Sequence, residues 1–108
     1  VRPEDTLTRA VKLMEQHGHH SIVMVGPRGR ARGYVELAAA RGTNGSVGEN
    51  HEALPTTVGP DEDLRTAVST MFRHDVSWLA CVDADGMFRG YVTLRGITRL
   101  LAETYSDA

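Results

Sequence analysis

Three residues near the end of the chain carry the side chains best suited to holding a ligand: Trp78, Thr93 and Arg95. An indole gives a purine base a face to stack on, worth roughly 1–3 kcal/mol per base. A hydroxyl and a guanidinium suit sugar and phosphate, and backbone N–H groups at a helix N-terminus add to an anion's hold. The competing assignment makes Trp78 a packed rim residue and Arg95 a solvated helix residue. Other clusters promise less. His17-Gly18-His19-His20 puts three imidazoles in four residues, but no cysteine or acidic cluster completes a metal-ligand set. His17 also recurs as His74 at the end of a matching helical pattern, where an imidazole suits the helix dipole. No metal is expected. Arg28, Arg30 and Arg32 make a basic turn, usually solvated, although near anionic lipid each arginine is worth about 1 kcal/mol. Cys81 lies in an apolar run and reads as a buried thiol. With no Ser–His–Asp arrangement and no paired carboxylates beside a base, catalysis is not expected.

These residues need elements to position them. Leu79-Ala80-Cys81-Val82 is a short apolar strand, and Asp83-Ala84-Asp85-Gly86 is turn chemistry. Phe88 to Thr93 is rich in β-branched and aromatic residues and runs into a helical pattern at Ile97, Leu100, Leu101 and Tyr105. A hairpin feeding a helix therefore sets Thr93 and Arg95 at the join.

The 108 residues amount to one domain's worth, enough to bury roughly two-thirds of the unfolded surface. Charged residues at 24%, hydrophobic at 41% and a net charge of −2 are ordinary for a soluble globular protein and give no reason to expect nucleic acid. No apolar run approaches the roughly 18 residues of a membrane span, and no signal-peptide pattern opens the chain. A cytoplasmic location fits.

Earlier in the chain, Leu7, Ala10, Val11 and Met14 have the spacing of a helix with one buried face, with Thr6 as N-cap and Gly18 as the stop. Ile22 to Val25 reads as a strand buried on both faces. Gly26 to Gly29 reads as a turn, Ala31 to Glu36 as a second strand, and Leu37 to Arg41 as a short helix ended by Gly42. Residues 43–56 lack a regular apolar period and read as a linker. Thr57-Val58 is a brief strand. Leu64, Ala67, Val68 and Met71 then repeat the helical spacing, with Asp63 as cap.

The repetition is general. Sliding the chain by 57 positions sets Val1 on Val58, Pro3 on Pro60, Leu7 on Leu64 and Met14 on Met71. It also sets Gly29 on Gly86 and Arg32-Gly33-Tyr34-Val35 on Arg89-Gly90-Tyr91-Val92. Two ungapped β-α-β-β-α units, each too small to bury its own core, should form one α/β (α+β) domain by packing with pseudo-two-fold symmetry. The expected division is 1–42, linker 43–56, and 57–108. The first copy keeps only Val1 of its leading strand, so the chain reads as the C-terminal piece of something larger.

This pattern resembles a tandem pair of CBS domains, or Bateman module, over essentially the whole chain. The second copy carries it best, in VSWLACVD at 76–83, Asp85-Gly86 and Gly90-Tyr91-Val92-Thr93. The first has Gly26 where an aspartate is usual. SWLACVDADG with GYVTLRGITRLLAETY is similar to the C-terminal CBS pair of the ATPase subunit of osmoprotectant importers. These are ABC transporters for glycine betaine, carnitine, choline or proline. The chain has no GxxxxGK[ST] phosphate loop, so the resemblance implies that subunit's regulatory tail rather than its ATPase.

The resemblance implies adenosine-ligand clefts between the two units, built on Gly-x-x-Thr/Ser-x-x-Asp. The second copy supplies Gly90 and Thr93 but has Gly96 at the ribose-gripping position; the first has Glu36 and Ala39 in place of the hydroxyl and carboxylate. Neither signature is complete, and Glu36 would repel a phosphate. The candidate nucleotide-binding residues are Thr57, Val58, Trp78, Leu79, Ala80, Tyr91, Thr93 and Arg95, for an adenine nucleotide or cyclic di-AMP. No cofactor is required. The implied partners are a second copy of the chain, the ATPase domain and the permease subunits, with the membrane reached only through that complex. Two alternatives stand beside this. One is a purely structural dimerisation module with degenerate clefts. The other is a CBS pair that serves a different host protein.

Overall fold

The computed structural model describes the backbone of residues 1–106 and the side chains of residues 1–102; the Tyr105 side chain, expected on the closing helix, lies outside the described residues. The chain divides into two units, residues 1–54 and 55–108. The first contains α1 (Leu7–His17), β1 (Ser21–Val25), a tight turn at Pro27–Gly29, β2 (Ala31–Glu36) and α2 (Leu37–Ala40). The second contains β3 (Thr57–Val58), α3 (Leu64–His74), β4 (Trp78–Val82), β5 (Phe88–Thr93) and α4 (Leu94–Ser106).

Local sequence explains where these elements begin and end. The Thr6 hydroxyl accepts the Arg9 N–H at 3.1 Å and starts α1, while Asp63 does the same for α3 from Thr66 at 2.8 Å. Both helices stop on a left-handed residue, Gly18 at φ 67° and Asp75 at φ 53°. Each buries its apolar stripe: Leu7, Ala10 and Met14 in the first unit, Ala67 and Met71 in the second.

The 57-residue offset survives in the hydrogen bonds. β1 and β2 pair antiparallel with an irregularity between Met24 and Val25; β4 and β5 pair antiparallel with the same irregularity between Cys81 and Val82. The Leu37 N–H donates to His20 O at 2.8 Å and its counterpart Leu94 to Ser77 O at 2.9 Å, so each exit helix is pinned to the start of its hairpin. β3 adds to β4 in parallel, Val58 opposite Cys81. Val1 holds the matching place beside β1: its amine donates to Val23 O at 3.1 Å and its carbonyl accepts from Val25 at 2.7 Å.

Residues 43–54 carry more structure than a plain linker. Val47 is fully buried in the core with Leu7, Met14, Met24 and Val35. Its N–H donates to Asp5 O at 2.8 Å, and Gly48 donates to Pro3 O at 2.8 Å. Val47 is the one apolar residue of the polar stretch 43–52, which leaves no period to read. α2 is short, ending at Ala40.

Candidate functional site

The β4–β5 register gathers the expected residues of the second unit. Trp78 stands opposite Thr93, and Ala80 opposite Tyr91. Side chains alternate across a strand, so Trp78, Ala80, Tyr91 and Thr93 share one face of the hairpin. The Trp78 and Tyr91 rings lie 5.9 Å apart between centroids, tilted by 56°. Phe88 meets Tyr91 edge-on at 5.1 Å. Both separations lie in the range that aromatic pairs favour. The three rings form one tilted aromatic cluster, a platform of separate faces, with Tyr91 39% exposed and Trp78 half-buried.

Phe88 is absent from the sequence-based set. Strict alternation would put Phe88 and Tyr91 on opposite faces, but the ladder skips Arg89: Cys81 pairs with Gly90 and Val82 with Phe88. The extra residue turns Phe88 to the Tyr91 side. The Asp83 carboxylate fixes this turn, accepting the Asp85 and Met87 N–H groups at 3.0 Å each and pairing with Arg89 at 2.9 Å. The Met87 N–H bond, helped by those from Asp85 and Arg89, holds the Asp83 carboxyl below its usual range against some desolvation.

Thr93 has a structural task of its own. Its hydroxyl oxygen accepts the Gly96 N–H at 2.9 Å and so caps α4. A Cβ on residue 96 would lie 2.8 Å from that oxygen, so an aspartate there would require the hydroxyl to move. Gly96 thus suits a closed cap, and the cap oxygen retains an O–H to donate. Arg95 is exposed in the first turn of α4, between Leu94 and Gly96, whose N–H groups donate to Ser77 O and to the Thr93 hydroxyl. Thr57 is exposed and pairs with Ala80. Val58, Leu79 and Ala80 are buried, the first two within the core of the second unit. What Val58 and Leu79 offer toward the hairpin face is backbone.

The first unit places different chemistry at the same positions. Tyr34 corresponds to Tyr91, but Ser21 and Ala31 stand where Trp78 and Phe88 do, so it has no such platform. Its hydroxyl instead donates to Glu52 Oε2 at 2.9 Å. Desolvation, with the Glu52 hydrogen bond and the charges of Glu52 and Glu36, pushes the phenol up to about 12. Glu36, in the Thr93 position, makes no capping bond.

The remaining candidates belong to the first unit. The His17 and His19 rings stack at 6.2 Å, and among the described residues no group of three or more His, Cys, Asp or Glu side chains is placed to hold a metal. Arg28, Arg30 and Arg32 are exposed on the first hairpin. Among the described residues no helix is long and apolar enough to cross a membrane.

Comparison with known proteins adds the following. The family model described as CBS domain matches residues 1–39 and 54–103. The osmoprotectant import ATP-binding protein OsmV of Salmonella typhimurium is 26% identical over 93 residues, covering 86% of this chain and 24% of OsmV. The chain thus spans about a quarter of that relative's length. Among solved structures, Staphylococcus aureus OpuCA aligns with a TM-score of 0.77 at 23% identity, over 96% of this chain and 91% of that one. CBSX2 in complex with AMP aligns with a TM-score of 0.85 at 18% identity, over 96% and 87%. At these identities the structural likeness establishes the fold.

Proposed function

Since the chain belongs to the CBS domain family, we propose that it is the regulatory CBS pair of an osmoprotectant ABC importer's ATP-binding subunit, and that its second unit senses an adenosine-containing nucleotide. The observation that carries this reading is the aromatic platform of Trp78, Tyr91 and Phe88 beside Thr93 and Arg95 at the start of α4. A base stacks on the exposed aromatic surface. The Arg95 guanidinium holds a phosphate at the start of α4, and the Thr93 O–H donates to a phosphate or ribose oxygen. The similarity to OsmV and OpuCA supports the transporter setting, and the AMP complex of CBSX2 supports the ligand class. Cyclic di-AMP, with two bases and two phosphates, is the form best served by two copies of such a site.

The same reading places the module at the cytoplasmic face of the membrane, in contact with the ATPase domain and permease, and acting as a homodimer. Exposed Leu64, Phe72, Leu100 and Leu101, all in the second unit, favour self-association through α3 and α4. They equally favour the second reading, a dimerisation module that binds no ligand. Calorimetric titration with AMP, ATP, S-adenosylmethionine and cyclic di-AMP separates the two. We expect binding by at least one of them, weakened about 5- to 140-fold by Trp78→Ala, the equivalent of roughly 1–3 kcal/mol of stacking. We also expect a smaller loss in Arg95→Ala. Absence of heat with all four, together with a dimer that persists on dilution, would favour the structural reading.

A further inference from the structure

The first unit already holds an extended segment against the outer edge of β2, at Tyr34, the counterpart of Tyr91 in the candidate site. The Tyr34 N–H donates to Glu52 O at 2.9 Å and the Glu52 N–H donates to Tyr34 O at 2.8 Å, a reciprocal antiparallel bridge on the outer side of β2. The Tyr34 hydroxyl closes on the Glu52 carboxylate at 2.9 Å. Gly33 makes the approach possible: a Cβ there would lie 2.6 Å from both Glu52 O and His51 Cδ2. Upstream the segment is anchored by buried Val47, by Asn50 Nδ2 donating to Ser46 O at 2.9 Å, and by the His51 ring at 2.8 Å from Gly48 O. At Gly90, the counterpart of Gly33, a Cβ would meet nothing within 4 Å.

We infer that the segment ending in His51–Glu52 is a built-in occupant of the first unit. It takes the outer edge of β2 and the tyrosine hydroxyl and brings an anionic charge of its own, and so confines the ligand response to the second unit. The confinement rests on the nucleotide reading of the second unit; the occupancy does not. An added strand binds through its main chain, so the edge of β2 is used up whatever the side chains do. The Glu52 and Glu36 carboxylates beside Tyr34 add repulsion toward phosphate.

Gly33→Ala tests this as a wedge against the Glu52 carbonyl, and Glu52→Pro as a second variant removes the Glu52 donor without touching β2. Hydrogen exchange is read amide by amide with and without AMP or cyclic di-AMP. In the unaltered chain the Tyr34 and Glu52 amides should be protected; Gly33→Ala should speed both about tenfold or more, and Glu52→Pro, which has no amide at 52, should speed Tyr34 likewise, while Leu37 and Leu94 keep their rates. Added nucleotide should slow exchange in residues 91–96 and leave 34–36 unchanged. Unprotected Tyr34 and Glu52 amides in the unaltered chain, or rates that neither variant changes, would overturn the occupancy. Nucleotide protection of 34–36 equal to that of 91–96 would overturn the confinement. If no nucleotide alters any amide, the ligand reading fails while the two variants still decide the occupancy.

Discussion

The two units are one backbone design carrying two different polar chemistries. Met14 and Met71 are both about 1% exposed, both hairpins carry the same irregularity, and both exit helices are pinned by the same backbone bond. Yet, although His17/His74, Arg32/Arg89 and Tyr34/Tyr91 are kept, other polar and ring positions were exchanged: Thr6 against Asp63, Gly26 against Asp83, Ser21 against Trp78, Ala31 against Phe88, Glu36 against Thr93. Burial fixes what both copies must keep, because a cavity costs the same in either. The surface of the hairpin is free to diverge. One copy turned it inward onto its own chain; the other left a platform of rings.

The largest effect probes the shared part. Met14→Ala and Met71→Ala should each cost about 2–5 kcal/mol, since each removes a side chain packed in a closed core. Chemical denaturation of the two variants should give losses that agree within about 1 kcal/mol, the spread expected from different local relaxation. A tenfold larger effect on the equilibrium constant in one variant would show that the copies differ in packing as well as in polar chemistry.

A smaller contrast lies at the helix ends, where opposite signs are expected. Asp75 pays for a left-handed backbone that glycine adopts freely, so Asp75→Gly should stabilise by about 1 kcal/mol. Gly18→Ala meets nothing within 4 Å but must adopt φ 67°, and should destabilise by about 1 kcal/mol. Thermal melts of both variants check the pair.

The smallest contrast is in pH. Asp63 and Asp83 are held below the ordinary carboxylate value of 3.8, mainly by N–H groups from Thr66 and Met87. Their contribution is present above that pH and lost as pH falls through the lowered values, because the unfolded chain then binds more protons. Their counterparts Thr6 and Gly26 do not titrate as acids. Tyr34, raised to about 12, works the other way: its contribution is present below pH 10 and lost between 10 and about 12, as the unfolded phenol ionises first. Below about pH 4 the carboxylate contribution should therefore be lost from the second unit, and above pH 10 the Tyr34 contribution from the first, as read from residue-resolved exchange. Asp83→Asn should flatten the acid limb, and Tyr34→Phe the alkaline one.

Much of this was legible in the sequence because it is local. Helical spacing, Thr6 and Asp63 as caps, Gly18 as a stop and the 57-residue offset all act over a few residues or repeat in register. What the sequence hid acts at a distance or breaks a period. Val47 and Glu52 lie in a polar run whose only signal is long-range contact. Phe88 reaches Tyr91 because the ladder skips Arg89, which parity alone does not foresee. The Thr93–Gly96 cap is a local signal too, a hydroxyl three residues before a glycine at a strand-to-helix join.

The most direct test of the difference between the units is a backbone-amide NMR titration of the chain with cyclic di-AMP and AMP. Shifts should concentrate at Trp78, Phe88, Tyr91, Thr93 and Arg95, with a midpoint moved to about 5- to 140-fold higher ligand in Trp78→Ala and with Ser21, Tyr34 and Glu36 unmoved. Equal shifts in both sets, or none in either at millimolar ligand, would contradict that difference.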